Sequence, residues 1–351
     1  MVPPPERAAA TAALAELSDA ARRHLDNPDL FHRPRFRTAV HSRHLARTPH
    51  HRVTAQIAAA AEQRAAVELL AAASTRAEVA ERPGRRPCFT PDALSELHTL
   101  LVAGDPSIPG PGGLRRSTAS VTWADGRVFT IAVTPGRDLH GHVERWYRWA
   151  VRTTSPALDA AALSMARLLT IHPFADGNGR TARLLAQCDL LAAGLVPGLL
   201  LDLEGWTHAH RLEHDEALVA AAEGRWAVWG SLFARAVTET ARHRTAGIVR
   251  YDALLARAAA QVADDPAAMA VLEGLRSSPA VSAVPPVSAA SVDPARPRPH
   301  PQGAALARLT GAGILVPHPR LPGALVHPPS LAVLDEPWAR PEGASGPPGE
   351  D

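Results

Sequence analysis

Residues 172–183, His172-Pro-Phe-Ala-Asp-Gly-Asn-Gly-Arg-Thr-Ala-Arg183, decide how the chain is interpreted. Within twelve positions they contain a candidate base, a carboxylate, a Gly-Asn-Gly turn and two arginines. Gly177 and Gly179 lack a Cβ atom, so the backbone can turn sharply there and approach a ligand closely. Polar chemistry of this density is unusual in a connecting loop and indicates a functional site.

The sequence after the turn predicts a helix that begins at an anion-binding point. Asn178 is a typical N-cap residue, and the residues from Thr181 onward have helical composition. Free backbone N–H groups and the positive end of the helix dipole therefore meet at one place. Arg180 and Arg183 are three residues apart and share a helix face, so two guanidinium groups can flank one polyphosphate.

The remaining residues of the stretch complement an anion site. The Asp176 carboxylate would repel phosphate unless a cation lay between them, and Mg²⁺ held by one carboxylate and by phosphate oxygens resolves that conflict. His172, with an ordinary pKa of about 6.5, can accept a proton from a hydroxyl at neutral pH. Phe174 is expected to anchor the loop in the core. A plain connection between two helices would explain any one of these residues, but not their combination.

This stretch resembles the signature of the Fic family, His-x-Phe-x-Asp/Glu-Gly-Asn-x-Arg-x-x-Arg, and fills every specified position. The resemblance implies a protein adenylyltransferase, which transfers AMP from Mg-ATP to a Ser, Thr or Tyr hydroxyl of a target protein. It implies that His172 is the general base and that Asp176 is the Mg²⁺ ligand. The turn at 177–179 would hold the α- and β-phosphates, with Arg180 on the β-phosphate and Arg183 on the γ-phosphate.

Length and composition limit the class of protein. A chain of 351 residues suggests two or three domains. Its formal net charge is +2 and its positive residues are all arginine, which indicates a GC-rich, bacterial genome rather than a nucleic-acid-binding surface. Cys88 and Cys188 are too few for a disulfide framework or a zinc site. We find neither a signal-peptide pattern nor a membrane-spanning apolar run, so a cytoplasmic protein is expected.

The N-terminal region, 1–88, is predicted to be helical around a polar connector. Residues 6–25 are rich in alanine and predict a helix, whereas 26–52 are polar and interrupted by prolines. The histidines of the connector lack acidic or cysteine partners at ligand spacing, so a metal site is rejected there. These histidines are His32, His41, His44, His50 and His51.

A second N-terminal helix, at about 53–81, is predicted to be inhibitory. Many Fic proteins have a helix with the pattern Ser/Thr-x-x-x-Glu-Gly/Asn, which Ser74 and Glu78 match, although Val79 replaces the final Gly or Asn. The resemblance implies that Glu78 pairs with Arg183 and blocks the γ-phosphate. An ordinary exposed pair on a helix is the alternative.

The Fic helical core is expected to span 89–245 and to include one β-hairpin flap. A helix begins with Thr90 as N-cap and Pro91 at its first position. Residues 117–133 predict a hairpin of two seven-residue strands around an Asp-Gly turn. The resemblance implies that this flap binds the target segment as an added strand. A hairpin that only covers the helices is the alternative.

Further helices are predicted on both sides of the signature. One helix runs from about 157 to 170 and presents His172, and the helix of Arg183 ends at Gly194. A final core helix contains Trp226, Trp229 and Phe233 and is expected to end near 245. His214 and Asp215 replace two tyrosines found in many relatives, which leaves the selectivity for the nucleotide base open.

The C-terminal region, 246–336, is predicted to be a small α+β module. Two helices and two short strands, at 314–316 and 324–326, follow the order of a winged helix. The proline-rich segment 293–301 prevents a regular recognition helix, so a degenerate module used for protein contacts is favoured over DNA binding. Residues 337–351 have the composition of a disordered tail.

The sequence therefore predicts a mainly α protein, with a Fic helical core, a β-hairpin flap and a winged-helix-like C-terminal module. Its expected partners are ATP, with Mg²⁺ as cofactor, and a target protein on the flap; a homodimer is left open. Three alternatives stay open. The same site can remove AMP from a modified protein if Glu78 positions a water, or use another phosphate-containing donor. The chain can also be a nucleotide-sensing transcriptional regulator that binds DNA through its C-terminal module.

Overall fold

The computed structural model describes residues 1–31, 90–102, 108, 110–123, 126–282, 301–318, 323–334 and 336. The described part is mainly α-helical, which confirms the predicted fold class. The predicted inhibitory helix with Ser74 and Glu78, the histidine-containing part of the connector at 32–52 and the C-terminal tail lie outside the described residues. The helices are α1 (Pro4–His24), α2 (Pro91–Leu101), α3 (Arg137–Arg152), α4 (Ala157–Ile171), α5 (Asn178–Ala192), α6 (Leu203–Ala209), α7 (Arg211–Ala222), α8 (Trp226–Ala260), α9 (Pro266–Glu273), α10 (Pro301–Gly311) and α11 (Pro328–Leu334).

The described residues fall into two compact units. The first contains residues 1–15 and the described residues between 90 and 242. The second contains residues 16–31 and the described residues between 243 and 336. The signature lies in the first unit.

The core of the first unit is built on α4 and α5. Helix α4 is buried on most of its surface, and its alanines at 160, 161, 162 and 166 leave room for close packing. Helix α3 packs against α4 and buries Leu139, Val143 and Trp146. The Trp146 indole N–H donates to the Ser164 hydroxyl at 3.1 Å, which fixes the two helices together.

Helix α2 begins as its sequence predicts. The Thr90 hydroxyl accepts from the backbone N–H of Ala93 at 3.1 Å, and Pro91 occupies the first helical turn. The apolar spacing of α2 buries Leu94, Leu97 and Leu101.

The predicted flap is a two-stranded antiparallel sheet, with β1 (Ser120–Thr122) and β2 (Val128–Thr130). Ser120 lies opposite Thr130, and Thr122 lies opposite Val128. The strands are three residues long rather than seven, so the expected length is wrong. Near the base of the hairpin, the carbonyl groups of Ser117 and Val133 accept hydrogen bonds from the Arg115 side chain. These bonds take the place of some of the hydrogen bonds expected between the two strands.

Helix α8 also departs from its prediction. It continues to Ala260, well beyond the expected end near 245. No proline interrupts the sequence between Trp226 and Pro266, so nothing forces the helix to stop earlier. Within the first unit, the Trp229 indole N–H donates to the Ala162 carbonyl at 2.7 Å and fixes the first turns of α8 against α4.

The second unit contains a three-stranded antiparallel sheet in the order β3-β5-β4. The strands are β3 (Val281–Ser282), β4 (Val316–Pro317) and β5 (Ala324–Val326). Asp265 is the N-cap of helix α9, and its carboxylate accepts from the N–H groups of Ala267 and Ala268 at 3.0 Å. Strand β3 and helix α11 were not predicted. The winged-helix assignment remains a prediction.

No helix in the described part of the chain is long and apolar enough to cross a membrane.

Candidate active site

The signature forms the connection between α4 and α5. His172 is the C-cap of α4 and adopts the left-handed conformation, with φ 54° and ψ 62°. Among the described residues it is the single non-glycine residue with a positive φ. This conformation costs roughly 1–3 kcal/mol and persists only where surrounding contacts enforce it. Such an outlier is typical of a functional position.

Asn178 stabilises the connection from within. Its side-chain oxygen accepts from the Phe174 N–H at 2.9 Å, and its side-chain nitrogen donates to the Phe174 carbonyl at 2.9 Å. The expected N-cap role of Asn178 is therefore wrong: Gly177, at φ 77°, is the N-cap, and Asn178 is the first helical residue. Phe174, whose main chain Asn178 binds, is fully buried.

His98 of α2 supports the same loop. Its ring stacks on Phe174 with 3.8 Å between ring centroids. The Gly112 N–H donates to Nδ1 at 2.9 Å, so Nε2 must be the protonated nitrogen, and it donates to the Asp176 carbonyl at 2.9 Å. Burial lowers the pKa of His98, opposed by the hydrogen bond to the Asp176 carbonyl. The neutral ring thus holds one defined orientation of the loop.

Arg115 connects the loop to the flap. Its backbone N–H donates to the Pro173 carbonyl at 2.9 Å, and its Nε donates to the His172 carbonyl at 2.7 Å. The two terminal nitrogens donate to the carbonyls of Ser117, at 2.9 Å, and Val133, which lie at the two ends of the hairpin. One buried guanidinium group therefore ties both ends of the flap to His172.

The His172 side chain is placed to act as a base. Its Nδ1 lies 3.4 Å from the Leu169 carbonyl, a contact that favours a proton on Nδ1 and leaves Nε2 as the acceptor. Burial lowers the pKa of His172 below its ordinary value, and the charge of Arg115 lowers it further. The ring is therefore neutral at pH 7, in the form that can accept a proton.

The first turn of α5 presents backbone donors. The first helical hydrogen bond runs from the Thr181 N–H to the Gly177 carbonyl at 3.0 Å. In the described structure the N–H groups of residues 178–180 precede this bond and have no backbone acceptor. A helix N-terminus of this kind binds anions.

The two signature arginines differ in their contacts. Arg180 is half-buried, and no ion pair to it is found in the described residues. Arg183 forms an ion pair with Glu204 of α6. Its guanidinium group lies over Gly179, where an added Cβ atom would come within 3.0 Å of it. The predicted partner of Arg183, Glu78, is outside the described residues.

The predicted metal ligand has little support from other side chains. Asp176 is exposed, and one of its carboxylate oxygens accepts from the Gly177 N–H. The described residues contain no cluster of three or more His, Cys, Asp or Glu side chains that could hold a metal. A Mg²⁺ ion held by one carboxylate and by phosphate oxygens needs no such cluster, so the single Asp176 carboxylate fits that arrangement.

A separate cavity of about 880 Å³ borders the flap. It is lined by Trp123 and Phe129 of the hairpin and by residues of α1, α7 and α8, but by no residue of the signature. In the sequence, His214 and Asp215 lie between two lining residues, Glu213 and Glu216. Both are buried, and Nδ1 of His214 lies 3.2 Å from the Asp215 carboxylate. We place the candidate site at the signature, because the potential base and the anion-binding helix end lie there.

Three residues that contact the signature were not identified from the sequence. His98 lies on the buried face of α2, and its ring nitrogens also bind the loop. Arg115 and Glu204 had no distinguishing sequence signal. A buried arginine beside a predicted hairpin becomes informative only when its carbonyl partners are known.

Comparison with known proteins identifies the family of this segment. The sequence profile of the Fic/DOC family matches residues 88–190. Residues 88–190 therefore belong to the Fic/DOC family. We call them the Fic segment. It contains α2, the flap, the signature and most of α5, which are the parts assembled above.

Curated relatives match over a similar length. The chain is 54% identical over 117 residues to the protein adenylyltransferase Fic of Nematostella vectensis, covering 32% of this chain and 25% of that protein. It is 44% identical over 110 residues to the protein of the same name from Drosophila melanogaster, covering 30% and 21%. The match thus spans about a quarter of these relatives or less. Both are animal proteins, so they do not support the expected bacterial source.

Solved structures of Fic proteins are also similar. A Fic family protein from Desulfovibrio desulfuricans G20 has a TM-score of 0.48 and 19% identity, covering 74% of this chain and 80% of that one. A fragment of Fic-1 from C. elegans has a TM-score of 0.45 and 19% identity, covering 70% and 71%.

Proposed function

We propose that the chain is a protein adenylyltransferase. The Fic segment would transfer AMP from Mg-ATP to a Ser, Thr or Tyr hydroxyl of a target protein. The observation that carries the proposal is the five-residue connection between His172 and Asn178, which puts a neutral base at one end and unpaired backbone donors at the other. The names of the curated relatives support the same activity.

The proposed reaction uses the base and the donors together. The target hydroxyl oxygen attacks the α-phosphorus of ATP and gives its proton to Nε2 of His172. The bond between the α-phosphorus and the bridging oxygen to the β-phosphate breaks, and pyrophosphate leaves. The N–H groups of residues 178–180 and the two arginines stabilise the phosphate charge as it develops. Mg²⁺, with Asp176 as its candidate ligand, would supply further charge neutralisation when bound.

The flap is the proposed docking site for the target. In β1 and β2 the hydrogen-bonded pairs alternate with non-bonded pairs, so the main-chain groups of residues 120, 122, 128 and 130 point away from the partner strand. On the β1 edge, the Thr122 carbonyl already accepts from Arg211 at 3.0 Å. The β2 edge, with exposed Val128 and Thr130, has no such contact in the described residues. We infer that the target strand adds to β2.

We also propose that the N-terminal region inhibits transfer. Glu78 is the expected inhibitory carboxylate on the basis of its spacing from Ser74, and Arg183 is its expected partner. Removal of Glu78 should then raise transfer. We further propose that the protein acts in the cytoplasm.

The test is label transfer from α-labelled ATP with Mg²⁺, with the protein alone and in cell lysate. We compare the native chain, Glu78→Gly, and Glu78→Gly combined with His172→Ala. Labelling that rises with the first change and falls by about 10²-fold or more with the second supports both the transferase and its inhibition. Equal labelling by the native chain and Glu78→Gly contradicts the inhibition. Absence of labelling in all three contradicts the adenylyltransferase.

A further inference from the structure

Arg183 faces a carboxylate that the signature does not contain. Glu204, in the first turn of α6, forms an ion pair with its guanidinium group. The Arg183 side chain is 13% exposed and that of Glu204 is 36% exposed, so solvent shields this pair less than a pair on the open surface. The contact therefore contributes to the charge that an incoming anion meets.

The position of Glu204 is fixed by the start of α6. The Asp202 carboxylate caps the helix by accepting from the Gly205 N–H at 2.9 Å. Trp206 is buried, and its indole N–H donates to the Glu239 carboxylate at 2.7 Å. The backbone on both sides of Glu204 is thus anchored, which holds its carboxylate beside Arg183.

The guanidinium of Arg183 is also fixed at the end of α5 where phosphate would bind. It lies against Gly179, which belongs to the first turn of the helix. Its Nε is buried and has no acceptor in the described structure. Glu204 therefore binds a terminal nitrogen of Arg183 and leaves the Nε–H without an acceptor. An anion at this place would compete with Glu204 for the terminal nitrogens.

We propose that Glu204 is a specificity-determining residue that sets the preference of the site between nucleoside triphosphates and diphosphates. This inference rests on the proposed function, in which Arg183 contacts the terminal phosphate of the donor. A γ-phosphate that approaches Arg183 must displace the Glu204 carboxylate or lie beside it, and like charges at that distance repel. A diphosphate, which ends before Arg183, meets little of this repulsion. Glu204 therefore lowers the affinity for ATP and leaves that for ADP nearly unchanged.

The experiment measures binding and so does not depend on transfer. Isothermal titration calorimetry gives the Kd of MgATP and MgADP for the full chain carrying Glu78→Gly, which removes the other candidate partner of Arg183. The same chain is measured with Glu204→Gln, Glu204→Asp or Glu213→Gln added. Glu213 is the matched control, because it forms an exposed ion pair with Arg235 in the same unit.

We expect Glu204→Gln to tighten MgATP binding about tenfold, the effect of roughly 1.4 kcal/mol, and to change MgADP binding less than about twofold. Glu204→Asp keeps the charge and should show a smaller gain, and Glu213→Gln should change neither Kd. Circular dichroism melting establishes that each variant is folded.

Three results would overturn the inference. They are an equal change for both nucleotides, no change for either, or weaker MgATP binding in Glu204→Gln, which would mean that Glu204 only orients Arg183. Failure of every variant to bind a nucleotide overturns the proposed function along with it. Binding that responds to Glu204→Gln as expected, without label transfer, contradicts the transferase alone.

Discussion

The Arg115 guanidinium donates to the main-chain oxygen of His172 at 2.7 Å, and its other two nitrogens donate to the two ends of the flap. The element proposed to receive the target and the residue proposed to take its proton are therefore bound to one side chain. An arginine is suited to this position because its planar fork can donate in three directions at once, whereas a lysine ammonium group cannot hold that geometry.

Replacement of Arg115 by Met is expected to uncouple the flap from His172. We predict that transfer falls about 10²-fold, because misplacement of reacting groups by about 1 Å has effects of that size. The Kd of MgATP should stay within about twofold, since no phosphate-binding residue is changed. Arg116→Met is the matched control, because Arg116 is the exposed neighbour. Native transfer by Arg115→Met would show that the flap needs no such connection.

The pH dependence of transfer should report on His172. Burial and the charge of Arg115 lower the pKa of His172, and only the neutral ring can accept a proton. The rate is thus expected to fall to half of its plateau value at a pH below the ordinary histidine pKa of about 6.5. Arg115→Met removes one cause of the lowered pKa, so the decline should begin at a higher pH. His142→Gln, at a partly exposed histidine of α3, should leave the profile of kcat/KM unchanged. A half-maximal rate at a pH above 7 would contradict the assignment.

Loss of the His98 ring should destabilise the loop. His98→Ala removes the stack on Phe174 and leaves the Gly112 N–H and the Asp176 carbonyl without their partner. We predict that the free energy of unfolding in urea falls by about 2 kcal/mol or more. His140→Ala, at an exposed residue of α3, should change it by less than about 0.5 kcal/mol. Equal values for the two variants would mean that the ring adds nothing to the fold.

The docking edge of the flap can be tested with two prolines. Ser120 and Thr130 lie opposite each other, and the N–H of each points away from the hairpin. Proline is tolerated at such edge positions but removes the donor that an added strand would use. We expect Thr130→Pro to reduce labelling of lysate proteins about tenfold or more without changing the Kd of MgATP, and Ser120→Pro to have little effect. The reverse order would place the target on β1.

The sequence predicted the parts of the site that are determined by residues close to each other in the chain. The cap at Thr90, the antiparallel pairing of the hairpin strands and the helix that ends before His172 follow from local propensity and are present in the structure. The N-cap assigned to Asn178 failed because the same amide can bind Phe174 across the loop, which propensity does not encode. His98, Arg115 and Glu204 act through tertiary contacts with the loop or its arginines, so their roles could be known only once the helices were packed.

The left-handed conformation of His172 also bears on how this segment changes over evolutionary time. Glycine adopts this conformation without the steric cost of roughly 1–2 kcal/mol that a side chain incurs. Selection for stability alone would therefore replace His172 by glycine, and only selection for its imidazole opposes that drift. Among descendants of this sequence, a glycine at this position would identify copies in which the chemistry has been lost while the fold persists.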